Sequence, residues 1–279
     1  MHDKYSFTNI TLEDFHVILD SYAGIVPSKL SDLDKARYDT VPTGLETTTD
    51  DPSTLTKAEV VTLVDWKLSH ATFRPTLKAL VNQNDEDTIA QVTATAFETF
   101  SKDPKSNAKP ALAELTKLKG IGPATASLLL SVYDPDHAPF FSDELFRWAF
   151  CDAGKGKGWD RPIKYTPKEY LELFGKVQEL RQRLEVKAVE AEKVAYVLGK
   201  RAAGVKLSKD EAQASTTQSD TKRKAASHDE RALKTTKPAK EKAVAPAVKR
   251  SKLDTADNQP ATTTRTTRSS ARLNADEQK

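Results

Sequence analysis

Between Gly120 and Tyr133 the chain runs fourteen residues without a charge, and the run opens on Gly120-Ile121-Gly122-Pro123. Nothing else in the sequence narrows the fold as much. A membrane span needs about twenty apolar residues, so this run is expected to be a helix buried inside protein. Pro123 suits its first turn, where a missing N–H costs nothing. A helix apolar all round needs partners on every side, and the flanking sequence supplies them as further helices. Leu12–Ala23 reads as one. Thr56 and Glu59 have capping-box spacing ahead of Val60, Leu63, Val64 and Trp66. A short helix is expected near Pro75, with Leu77, Leu80 and Val81 inward, and another after Asp85, burying Ile89, Val92, Ala96, Phe97 and Phe100. Pro110–Leu118 precedes the glycines, and Asp143–Phe150 follows a candidate N-cap at Ser142. A second capping box, Thr166 with Glu169, starts a helix through Leu184, and Val189–Lys200 is the last. Strict apolar–polar alternation is absent over any useful length, which argues against a sheet. The expectation is an all-α fold of about eight or nine helices. Residues 30–55, with Asp34, Pro42, Gly44, three threonines and Pro52, read as a loop.

The net charge of +3 conceals a division. From Lys206 onward there are 17 Lys/Arg against 10 Asp/Glu, a net of +7, which leaves residues 1–205 at −4. Beyond Gly204 there is no Phe, Tyr, Trp, Ile, Met or Cys. Such a segment cannot bury enough apolar surface to offset the entropy of ordering. The chain therefore divides into a helical domain, 1–204, and a basic tail, 205–279, expected to be disordered. Lys222-Arg223-Lys224 and Lys249-Arg250-Ser251-Lys252 are short basic clusters that a nuclear import receptor would read, so the expected location is the nucleus. The start of the chain lacks a basic stretch followed by an apolar core, and no secretory leader is expected there. One cysteine, Cys151, excludes an internal disulfide framework and, with five scattered histidines, a clustered zinc site.

The chemistry concentrates at Leu118-Lys119-Gly120-Ile121-Gly122-Pro123-Ala124-Thr125-Ala126. Two glycines permit a tight turn, and Ile121 between them can lock it into the core. The next helix then starts with its unpaired N–H groups and positive dipole end aimed outward, an anion site open to close approach. Lys119, Gly120, Ile121, Gly122, Ala124 and Thr125 are the expected phosphate contacts, through the amides that follow Gly120 and Gly122.

This stretch resembles the helix-hairpin-helix motif, here spanning 110–133, and the likeness continues into the DNA glycosylase superfamily that carries it. In that family the hairpin and an apolar helix are followed by P-V-D-T-H-V-x-R. Here Phe140-Phe141-Ser142-Asp143-Glu144-Leu145-Phe146-Arg147 falls in register without a gap, Phe141, Leu145 and Arg147 taking the Val, Val and Arg places. The match covers about 30 residues. It implies a glycosylase-like helical bundle, DNA as partner, and a monovalent cation on the carbonyls of Thr116, Leu118 and Ile121; no other cofactor is expected. The departures fall on the chemistry. Ser142 stands where the family has its catalytic Asp, and Ala124 where bifunctional members have their Schiff-base Lys. Asp143 and Lys119 are the nearest substitutes. One residue along a helix turns a side chain by about 100°, so the reading is DNA-backbone binding without base excision. Two alternatives stay open: a glycosylase or lyase with relocated residues, and a protein-interaction adaptor without DNA contact.

Other features have plainer readings. Ser142 is most simply an N-cap, and Asp143 and Glu144 first-turn acids favoured by the dipole. Trp66 and Phe73 read as core, Lys67 and Arg74 as a solvated face or a phosphate contact. Gly154-Lys155-Gly156-Lys157-Gly158 lacks P-loop spacing and reads as a flexible basic loop. Cys151, beside Phe150, reads as a buried or half-buried thiol.

Overall fold

Capping chemistry sets the helix starts. In the computed structural model, which describes residues 3–47, 53–70, 75–151 and 158–205, Thr56 Oγ1 accepts the Glu59 amide at 3.3 Å and the Glu59 carboxylate accepts the Thr56 amide at 2.8 Å. The same reciprocal pair at Thr166 and Glu169 opens a helix with Pro167 at its first position. Ser142 Oγ accepts from the Leu145 amide at 3.1 Å and caps its helix. Asp103 accepts from the amides of Lys105 and Ser106.

The α-helices are α1 (Leu12–Leu19), α2 (Ser31–Lys35), α3 (Val41–Thr47), α4 (Lys57–His70), α5 (Pro75–Val81), α6 (Glu86–Lys102), α7 (Pro104–Leu115), α8 (Pro123–Tyr133), α9 (Asp143–Ala149), α10 (Pro167–Leu184) and α11 (Ala188–Ala202). No strand occurs among the described residues, and no helix there is long and apolar enough to cross a membrane. The fold is all-α. At its centre lies α8, buried at every position from Ala124 to Val132. Around it pack α4, α7, α10 and α3; α6 lies along α7, and α11 along α9 and α1.

Three features differ from the sequence expectation. The helix before the glycines begins at Pro104, capped by Asp103, rather than at Pro110, and carries Pro110 inside it. Leu80, expected inward, is 42% exposed. The largest difference is at 30–55. Residues 31–47 are helical: α2 runs through a π-helical turn at Ala36–Thr40 into α3, while 48–52 lie outside the described residues. The turn is wide because the Val41 amide reaches back five residues to the Ala36 carbonyl. It comes directly before Pro42, whose ring would clash with the carbonyl four residues back in a regular helix. Burial of Arg37, Val41 and Leu45 then outweighs the breaker residues. Arg37 is fully buried: its Nη2 donates to Ser131 Oγ of α8 at 2.6 Å and to Glu192 of α11 at 3.1 Å.

Candidate functional site

The turn between α7 and α8 is fixed from three directions. Leu118 and Ile121 point into the core, 3% and 4% exposed, and the Ile121 amide donates to the Leu118 carbonyl at 3.1 Å. Asn84, in the α5–α6 connection, clasps the peptide groups of Lys119: its Oδ1 accepts the Lys119 amide at 2.9 Å, and its Nδ2 donates to the Lys119 carbonyl at 3.0 Å. Gly120 has φ +79°, and a Cβ there would stand 3.0 Å from Leu80 Cβ and 3.1 Å from the Val81 amide nitrogen. The fold itself demands glycine at 120.

Gly122 differs. It is the exposed N-cap of α8 at φ −94°, and a Cβ there would meet nothing within 4 Å. The donors around it need one correction to the expected set. The amide after Gly120 belongs to Ile121 and is spent inside the turn, and the residue after Gly122 is proline, which has none. The Thr125 and Ala126 amides both donate to the Gly122 carbonyl. The amides of Gly122 and Ala124 donate to no described residue and lie at the positive end of the α8 dipole, and the Gly120 amide in the turn likewise donates to none.

A cavity of about 340 Å³ opens beside this turn. Gly122, Ala124 and Thr125 form one wall, and Ser142 and Asp143 at the start of α9 lie within the same lining. Lys67 joins them from α4, its Nζ donating to Thr125 Oγ1 at 2.8 Å. Asp143 accepts from the Tyr165 hydroxyl at 2.5 Å and pairs with Arg147 at 3.4 Å. Tyr165 is one of two non-glycine residues in the left-handed region, at φ +55°, among those described. Lys119 is exposed and does not line the cavity, so the two substitutes named from sequence are not brought together there.

Much of the remaining lining is aromatic, including Tyr22, Tyr38, Trp66, His70, Phe140 and Tyr196, with Glu144, Lys164 and Glu192 among the charged groups. Two carboxylates organise it, Glu192 buried and Asp34 half-buried. Asp34 accepts from Trp66 Nε1 at 2.7 Å and the Tyr22 hydroxyl at 2.9 Å, and lies 2.9 Å from His70 Nε2. Glu192, paired with Arg37, accepts from the Tyr38 hydroxyl at 2.8 Å. Burial pushes Tyr22 and Tyr38 well above the ordinary phenol range and Tyr196 up to about 12. Burial also works to raise Asp34, but the bonds from His70, Trp66 and Tyr22 outweigh it and hold the carboxyl below its usual value. Lys193 Nζ lies 4.1 Å from the Tyr38 ring centroid and 5.4 Å from that of Tyr22, and burial lowers its pKa.

Sequence reading missed Asp34, Arg37, Tyr38, Asn84 and Glu192. For the first three the signal was spacing: Asp34, Arg37, Tyr38, Val41 and Leu45 trace one helical face through the supposed loop. Trp66 is core, 3% exposed, and Cys151 is half-buried. Phe73, Arg74, the residues 154–157 and both basic tail clusters lie outside the described residues. Comparison of the chain with protein-family models, curated proteins and solved structures returns no match.

Proposed function

We propose that the protein is a nuclear DNA-binding protein that grips the nucleic-acid backbone at Gly120–Gly122, without excising bases. In this reading α7, the turn and α8 form a helix-hairpin-helix unit in a glycosylase-like bundle. The observation that carries it is the contrast between the two glycines. Gly120 answers to the packing around it, whereas Gly122 faces open space beside two unclaimed amides, as a site does when a ligand oxygen must come close. Lys119 on the turn and Lys67 at the cavity wall add positive charge for a backbone that is read without sequence. Carbonyls of Thr116, Leu118 and Ile121 would hold a monovalent cation beside the phosphate; Leu118 spends one lone pair on the Ile121 amide and keeps the other. The tail would add a sequence-independent, salt-sensitive attraction and the import signal.

The test is DNA binding by the full chain, measured by fluorescence anisotropy on a short duplex at low salt. Gly122→Val should weaken binding about threefold or more, since helix-start anion contacts are worth about 0.3–2 kcal/mol. Its urea midpoint should fall only by what a poorer N-cap costs, about 1 kcal/mol of stability, since the added side chain meets open space. Equal affinity in parent and variant would make the turn a scaffold and promote the adaptor reading.

A second reading has one observation in its favour. Lys67 delivers an amine to Thr125, one residue past the Ala124 place where the family's Schiff-base lysine would stand, in a cavity shared with Asp143. An abasic-site lyase with relocated residues would use that amine. Borohydride trapping on an abasic duplex, lost in Lys67→Met, would establish it.

A further inference from the structure

A second recess, of about 830 Å³, lies where α6 and α8 end and α7 begins, with α10 along one side. It shares no lining residue with the cavity beside the turn. Four carboxylates line it, Glu46, Asp103, Asp134 and Glu179, against one lysine, Lys105. The C-terminal ends of α6 and α8 bring the negative poles of their dipoles to the same place. Folding leaves most of that charge uncompensated. Asp103 is spent on the amides of Lys105 and Ser106, which are neutral donors, and Asp134 on the ring and amide of His137. Glu46 is exposed and has no ion pair among the described residues, and Glu179 lies 3.9 Å from Lys176 with its side chain mostly exposed. A lining of this sign repels nucleic acid and suits a cationic occupant.

One lining residue is unexplained by contacts within the protein. Gly175 sits in the middle of α10, an 18-residue helix, and glycine is among the poorest residues for a helix interior. A Cβ at 175 would meet nothing within 4 Å, so packing does not call for its absence. The contrast is Gly199 of α11, where a Cβ would stand 2.7 Å from Glu144 Cγ. A bare patch on a helix that walls a groove lets another backbone come close. Two rings share the lining: Phe174, 4% exposed, and Tyr133, stacked on Phe97 at 4.3 Å. Rings and carboxylates together favour a guanidinium, which is planar, stacks on aromatic faces and takes a carboxylate with two bonds, over the compact ammonium of lysine. We propose that this groove docks an extended, arginine-bearing segment of a partner protein, its backbone against Gly175 and its arginines among Glu46, Asp134 and Glu179. The proposal is independent of DNA binding at the turn.

The test is fluorescence anisotropy of the full chain with a labelled peptide of four Arg–Ala repeats at low salt. Gly175→Leu should weaken binding about tenfold, since a side chain then stands where the peptide backbone must lie. The change alters no charge, and the melting temperature should be no lower than the parent's, because leucine is the better helix former and meets open space. Glu46→Gln/Glu179→Gln should weaken binding and lessen its salt dependence. A peptide of four Lys–Ala repeats should bind less tightly than the arginine peptide. Gly122→Val should leave peptide binding untouched even where DNA binding is lost, so the two sites fail separately. No binding of the arginine peptide by the parent, or equal affinity in parent and Gly175→Leu, would overturn the proposal, the second by reducing the attraction to diffuse charge. Equal affinity for the lysine peptide would overturn it as well. So would argininamide that competes as strongly as the peptide at equal guanidinium concentration, because the groove would then be a small-cation site.

Discussion

Replacing Gly120 by alanine should destabilise the protein far more than the same change two residues later. At Gly120 two costs combine. A Cβ in the left-handed region at φ +79° costs about 1–2 kcal/mol. The new carbon would also stand 3.0 Å from Leu80 Cβ and Val81 Cγ2, and 3.1 Å from the Val81 backbone nitrogen. Leu80 is partly exposed and can give way, but the α5 backbone cannot move without disturbing the Asn84 clasp on Lys119. Overpacking of this kind costs about 1–3 kcal/mol, for a total of roughly 2–5 kcal/mol. Gly122→Ala meets open space at an ordinary φ, and costs about 0.5–1 kcal/mol as a poorer N-cap than glycine. Urea denaturation followed by far-UV circular dichroism measures both. A loss below about 1 kcal/mol at Gly120, or equal losses at the two positions, would refute the division of labour between the glycines.

Four further outcomes are expected. Arg37→Met should cost about 3–5 kcal/mol by stranding Glu192, and Arg37→Met/Glu192→Leu should recover most of it; thermal melts of parent, single and double variants measure this, and a double variant no more stable than the single would contradict it. Asp34 titrates below its ordinary value in the folded state, so its stabilising contribution is complete above the usual aspartate range and is lost as the pH falls through the lowered folded pKa. Asp34→Asn should therefore flatten the fall in urea midpoint below about pH 4, and parallel curves for parent and variant would show that Asp34 is not the group responsible. Deleting 205–279 should lower the salt slope of DNA binding, and changing Lys222, Arg223, Lys224, Lys249, Arg250 and Lys252 to alanine should render a fluorescent fusion diffuse; an unchanged slope, or a fusion that stays nuclear, would remove the tail from the respective role.

What the sequence disclosed followed from how local each cause was. Capping boxes at Thr56 and Thr166, the proline opening α8 and the N-cap at Ser142 act over three or four residues and were legible. The helix at 31–47 was not, because Pro42 and Gly44 argue locally for a break while Arg37 is held by partners 94 and 155 residues away. The cavity has the same origin. Lys67 reaches Thr125 across 58 positions, and Asp34 meets Trp66 across 32, distances at which spacing carries no information. Conversely, Asp143 and Lys119 looked like neighbours of the chemistry because sequence places both beside the aligned motif, yet only Asp143 enters the cavity.

The wide turn at Ala36–Thr40 also bears on how the cavity floor arose. A π turn holds one residue more than the α-helical turn it replaces, and each residue advances a helix by about 100°. Asp34 lies before it, and Arg37 and Tyr38 lie within it. Asp34 bonds Trp66 of α4, Arg37 and Tyr38 bond Glu192 of α11, and the extra residue sets the phase of these groups relative to α3 behind them. The floor thus has the form of a single-residue insertion. Excising one residue from the turn would restore a regular helix and rotate everything upstream of it by roughly a quarter turn, carrying Asp34 away from Trp66. A length change there is a larger step than any point substitution in the cavity wall.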